Sequence, residues 1–252
     1  MRNPAFGKNS AFNSTAQFSE NMVSEAPLTV ENAIVKSAIA FMVLVGGAAF
    51  AWMTIAANPS AAVLFMVGAG LGAFVLAMVN IFKREPVPGL VLGYAALEGM
   101  FVGALSQFYE TAYSGIVFQA VLATFVVVGV TLALFASGKI RASARATKIF
   151  MIAMIGYLVF SIINMFLVMF GTIDNPWGVR GMEIAGIPFG IILGIFVVIM
   201  GAYSLVLDFD SIQQGVANRV PAKYAWTGAF GIMVTVVWLY LEILRMLAIA
   251  RD

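Results

Sequence analysis

The sequence predicts an all-α membrane protein with seven transmembrane helices, and three observations predict it. The chain has 252 residues, of which 62% are hydrophobic and 10% charged, whereas soluble domains carry about a quarter charged residues. The apolar residues fall in blocks long enough to cross a hydrocarbon core, which takes about 20 residues of helix. The positive residues cluster in the links between those blocks.

Composition also excludes chemistry. The chain has no Cys and no His, which removes disulfides, thiolate sites, imidazole catalysis and the usual zinc ligand. A zinc-dependent membrane protease of the His-Glu-x-x-His kind is therefore excluded. No basic face interleaves with aromatics in a soluble segment, so nucleic acid is not an expected partner. The expected surroundings are a lipid bilayer.

Residues 1–30 are polar and lack the apolar core of a signal peptide. They read as a flexible cytoplasmic tail ahead of a transmembrane domain at 31–252. Phe6, Phe12 and Phe18 recur every six residues, a period of neither helix nor strand, and could dock on the membrane surface or under the bundle. The spans are then expected at 34–57, 61–82, 90–108, 116–137, 147–170, 186–210 and 226–249. Asn58-Pro59-Ser60 separates the first two.

Orientation follows from the positive charges in short links. One set of ends carries Arg2, Lys8, Lys36, Lys83, Arg84, Lys139, Arg141, Arg145, Lys148, Arg219 and Lys223; the other carries Arg180, Arg245 and Arg251. Eleven against three puts the N-terminus, and the link between spans six and seven, on the cytoplasmic side. The C-terminus falls opposite.

Small residues let membrane helices approach closely. Gly99 and Gly103 give that pattern in span three, Gly186, Gly190 and Gly194 in span six, and Gly68, Gly70 and Gly72 lie in span two. No strand precedes the last run and no Lys follows it, so it is a packing feature and not a nucleotide loop.

Four acids stand inside apolar segments: Glu98, Asp208, Asp210 and Glu242. An ionisable side chain near the bilayer centre costs about 2.5–3.5 kcal/mol on insertion scales, so each needs a reason. Glu98 can be protonated and bonded to backbone. Asp210 can lie in the headgroup region. Glu242 can pair with Arg245, three residues on along one helix face. Asp208, flanked by Val206, Leu207 and Phe209, is hardest to explain as structure. If spans six and seven form a hairpin about a turn near residue 225, Asp208 lies seventeen positions before it and Glu242 seventeen after. Equal rise then puts them at one depth. Within hydrogen-bond range of each other, two such acids would share a proton, and their oxygens suit Ca²⁺ or Mg²⁺ over softer metals. So few carboxylates bind weakly, which suits conduction.

The segments LDFDSIQQG and WLYLEILRML, with EGMFVGALS in span three and the seven-span plan, resemble the Bax inhibitor-1 family over about residues 30–250. The stretch NPAFGKNSAF is similar to a bacterial branch, which implies the bacterial inner membrane. The resemblance implies six helices in three antiparallel pairs around a central seventh, and a pH-sensitive Ca²⁺ leak governed by two acids. Those acids fall on Asp208 and Glu242, as gate and ion site, and a basic latch falls by position on Lys83 and Arg84. Glu242 stands where relatives carry Asp, Val206-Leu207 where they often carry Leu-Tyr, and the link between the acids is longer.

The leading expectation is a Ca²⁺ leak channel gated by the proton-sharing pair Asp208 and Glu242, with Ca²⁺ and protons as partners and no tightly bound cofactor. The alternative is a regulatory protein whose tail binds a membrane protease or another stress-response partner. A proton-coupled transporter would use the same acids as a relay. An enzyme is least expected, since no nucleophile–base pair or metal cage is visible.

Overall fold

The structure is a computed structural model and describes residues 26–252. The expectations placed on Phe6, Phe12 and Phe18 lie outside the described residues. Seven helices among the described residues are long and apolar enough to cross a membrane. They are α1 Val30–Ala57, α2 Ala61–Phe82, α3 Pro88–Ala112, α4 Ile116–Ala136, α5 Ala144–Met169, α6 Phe189–Ala217 and α7 Ala225–Ile249. The chain divides into two units: residues 26–108 with Leu207–Val237, and Tyr109–Val206 with Trp238–Asp252.

In the first unit, α1 starts where Thr29 accepts a hydrogen bond from the Asn32 N–H at 3.1 Å, which satisfies one of the orphan donors of a helix start. It ends at Asn58, because Pro59 pushes the residue before it out of helical geometry. In α2, residues Leu64–Ala69 wind as a π-helix. Pro88 opens α3 at the position where a missing N–H costs nothing. Gly99 and Gly103 bring α3 against α1: a Cβ on either would strike the carbonyl oxygen of Leu44 or Ala48. The close contact expected of these glycines is real, and it joins two backbones directly.

The end of the expected flexible tail is fixed. The Leu28 N–H donates to Val220 O at 2.7 Å, the Ala222 N–H donates to Ala26 O at 2.8 Å, and Pro27 sits opposite Pro221. Leu28 is buried with Val220, Tyr224 and Ala225. Residues 26–29 thus form a short strap across the link between α6 and α7. The reason is a packing one: a leucine next to a polar tail finds an apolar seat.

In the second unit, Glu110 accepts from the Gly115 and Val117 N–H groups at the start of α4, an acid where a helix presents orphan donors and a positive dipole end. Ser143 caps α5 by accepting from the Ala146 N–H at 3.2 Å. That helix exposes Ile149, Ile152, Ile155 and Met169, a surface suited to lipid and not to water. Of the seven helices α5 is the least buried and α7 among the most.

Two expected features of span six are corrected. Gly186 lies ahead of the helix, at the tip of a hairpin formed by Glu183–Ile184 and Ile187–Pro188. Ala185 and Gly186 both have positive φ, 54° and 79°, the twist that a two-residue hairpin turn requires. The glycine contacts of α6 run instead through Gly190, Gly194 and Gly201, where added Cβ atoms would meet Ile249, Met246 and Leu239 of α7. Span six also does not stop at 210: α6 continues to Ala217. Apolar composition marks where a helix leaves the hydrocarbon, whereas Ser211, Gln213 and Gln214 prolong it beyond that level.

Candidate functional site, two acids in two settings

The longer α6 moves the turn. The link between α6 and α7 spans Asn218–Tyr224, and α7 begins at Ala225, so the turn is centred near residue 221 and not 225. Residue 221 lies thirteen positions after Asp208 and fourteen before Thr235. Equal rise along the two helices therefore puts Asp208 level with Thr235. The structure bears this out: Thr235 Oγ1 donates to Asp208 Oδ2 at 2.6 Å. The premise that put Glu242 at the level of Asp208, a turn near 225, is thus overturned.

Asp208 is wholly buried and Thr235 nearly so, at 0% and 4% exposure. A buried carboxylate is costly unless hydrogen bonds meet it, and a threonine on the facing helix meets this one. Asp210, two residues on, is half-buried and accepts from Gln214 Nε2 at 2.6 Å within its own helix. Glu98 lies on α3 in the wall of a cavity. Lys83 and Arg84, the expected latch, are exposed in the link after α2.

Glu242 belongs to the second unit, and its setting is different. It is buried, and its Oε1 accepts from Arg245 Nη1 at 2.7 Å and from the Tyr157 hydroxyl. Its Oε2 lies 3.7 Å from Arg180 Nη1. Arg180 is itself buried, and its Nη2 donates to Tyr157 Oη at 2.9 Å and to Ser161 Oγ at 3.0 Å. The same guanidinium lies over the rings of Tyr157 and Phe160, at 5.4 and 5.7 Å from their centroids. Such placement favours a cation on an aromatic face. One carboxylate thus answers two arginines, with a tyrosine hydroxyl holding all three together.

Arg245, three residues from Glu242 on the same helix, is legible from spacing alone. Arg180, Tyr157, Ser161 and Thr235 were not singled out. Arg180 is the one cation between α5 and α6, and nothing local in the sequence points it inward. That orientation comes from the 3₁₀ turn Gly178–Gly181, fastened to α5 where Val179 N–H donates to Asn164 Oδ1 at 2.7 Å.

No group of three or more His, Cys, Asp or Glu side chains among the described residues is assembled to hold a metal ion. A family model described as Bax inhibitor 1 like matches residues 3–252, essentially the whole chain. The chain belongs to the Bax inhibitor 1 like family. The match takes in the polar N-terminal residues as well as the helices, so it extends beyond the 30–250 stretch on which the resemblance rests. Comparison with curated proteins and with solved structures gave no match. This family member therefore has seven apolar helices, a buried aspartate stapled to a threonine, and a buried glutamate caged by arginines.

Proposed function

We propose that this protein is a pH-responsive cation leak of the membrane, with Ca²⁺ as the permeant ion and with Asp208 and Glu242 controlling conduction. The observation that carries it is the complete burial of Asp208 in a membrane-spanning helix, where the Thr235 hydroxyl donates to it across the α6–α7 hairpin. An acid kept at such cost marks an ion or proton path more often than a packing need. Protonation changes what Asp208 can do: as a carboxylate it accepts hydrogen bonds and attracts a cation, and as an acid it donates one bond and attracts none. That is the property a proton-controlled gate needs. Glu242, held by Arg180, Arg245 and Tyr157, supplies the second acid, with its charge balanced while the path is closed. Departure of a guanidinium from Glu242 would free a carboxylate for the passing ion.

The excess of positive charge at the tail side supports a cytoplasmic N-terminus with the C-terminus opposite, and the tail's resemblance to a bacterial branch of the family supports a bacterial inner membrane. No catalytic step is assigned. Ca²⁺ is cargo here, held weakly by oxygens as conduction requires. The test is Ca²⁺ entry into liposomes holding the purified chain, at pH 6 and pH 8. The expected result is a flux that differs between the two and loses that difference in the Asp208→Asn, Glu242→Gln double variant. Unchanged flux in that variant would refute the proposal.

One observation favours a second reading, regulation through a bound membrane protease or another stress-response partner. The strap at residues 26–29 ties the N-terminal region to the link between α6 and α7. A partner that captures the tail would pull on that link. Deleting residues 1–25 separates the two: loss of a stress phenotype with intact flux supports partner binding.

A further inference from the structure

A cavity of about 420 Å³ opens in the first unit between α2 and α3, within the range of roughly 300–1,000 Å³ that small-molecule sites occupy. Val67, Leu71 and Phe74 line it from α2, and Tyr94, Glu98 and Phe101 from α3. The three α2 residues are largely exposed, so the mouth opens toward the hydrocarbon of the bilayer. Glu98 is the eleventh of the 25 residues of α3, near mid-membrane. Among the described residues, no hydrogen bond or ion pair satisfies its carboxylate. Tyr94 stands one turn before it, so both polar tips share one face of α3.

Two features of α2 keep this space open. Residues Leu64–Ala69, including the lining residue Val67, form a π-helix, and such turns occur frequently at functional sites. Gly70 faces Phe101, and a Cβ there would come within 3.1 Å of the ring. A side chain at that position would fill the cavity.

We propose that this cavity binds a lipid-soluble amine, with its ammonium group paired to the Glu98 carboxylate and its hydrocarbon lying along Val67, Leu71 and Phe74. The chemistry of the lining selects this occupant. A neutral lipid chain leaves the acid unsatisfied at a depth where that is costly. A fatty acid brings a second negative charge. A bare metal ion finds one carboxylate and a phenol where it needs six or more oxygens, and leaves the apolar wall unused. An amine satisfies both parts. A neutral amine arriving from the bilayer takes the proton of the Glu98 carboxyl group, so the ion pair forms without moving net charge across the membrane. The Tyr94 hydroxyl then accepts one of the remaining ammonium hydrogens.

The test uses the full chain in phosphatidylcholine nanodiscs and radiolabelled dodecylamine as the probe, with dodecanol and dodecanoate as competitors. Saturable binding of one amine per chain is expected, weakened at least tenfold in Glu98→Gln and displaced by neither competitor. Val67→Trp, a change on the lipid-facing mouth that retains the acid, should also weaken it. Asp208→Asn should bind as the parent does, which separates this site from the proposed gate. Circular dichroism and a single size-exclusion peak establish that each variant is folded. Equal binding by Glu98→Gln and the parent would overturn the proposal. Displacement by dodecanol would overturn it too, showing that a lipid chain is the occupant.

Discussion

Asp208 and Glu242 are both buried acids on apolar helices, yet the protein treats them differently. Thr235 meets Asp208 with a neutral hydroxyl, so its negative charge is not balanced by that contact. Two guanidinium groups and a phenol meet Glu242, so its charge is more than balanced. The comparison teaches that depth in a membrane helix does not by itself assign a role to an acid. The partners do. Asp208 meets a hydroxyl on the facing helix, whereas Glu242 sits between two guanidinium groups and a phenol.

The largest effect should come from opening the Glu242 cage. Glu242→Leu leaves Arg180 buried without its carboxylate, and removing one member of a buried ion pair costs about 3–5 kcal/mol. Thermal unfolding in detergent should show this as a large loss of stability. Replacing the cage as a whole, with Arg180→Met and Arg245→Met added, should recover most of the loss, because a fully apolar substitute avoids the unpaired charge. Next comes the Asp208 staple. Thr235→Val keeps the shape and removes the donor, and should cost about 1–3 kcal/mol, while Thr235→Ser should cost less. Reversal of this order, with Thr235→Val the more damaging, would break the comparison. Asp210→Asn weakens only a bond within one helix turn and should cost about 0.2–0.5 kcal/mol. The exposed pair Lys83→Ala, Arg84→Ala should leave stability within about 0.5 kcal/mol. A changed pH response of flux in that variant would assign these residues the latch role.

Much of the fold was legible because hydrocarbon imposes a simple rule on composition. The bounds of α2 match expectation at both ends, and Gly99 and Gly103 sit where close backbone contact was expected. The rule fails where a helix outlasts the membrane. Ser211–Ala217 is too polar to read as part of a span, and leaving out its two turns displaced the hairpin centre by four residues. That displacement was enough to exchange Thr235 for Glu242 as the group level with Asp208. The acids themselves were legible, because charge in an apolar run is conspicuous. Their partners were not. Thr235 is an ordinary hydroxyl in a run of valines, and Tyr157 joins a charged cluster only once the fold brings Glu242 and Arg245 of α7 and the loop residue Arg180 beside it. The π-helix at Leu64–Ala69 leaves no compositional trace beyond its glycine-rich surroundings.

The most direct test of the account is the pH profile of Ca²⁺ flux in liposomes for Asp208→Asn alone, beside the unaltered chain. Asparagine keeps the shape and the acceptor for Thr235 but cannot exchange a proton in this range. The account predicts a flux that no longer changes between pH 6 and pH 8. A profile that keeps its shape in Asp208→Asn would contradict it.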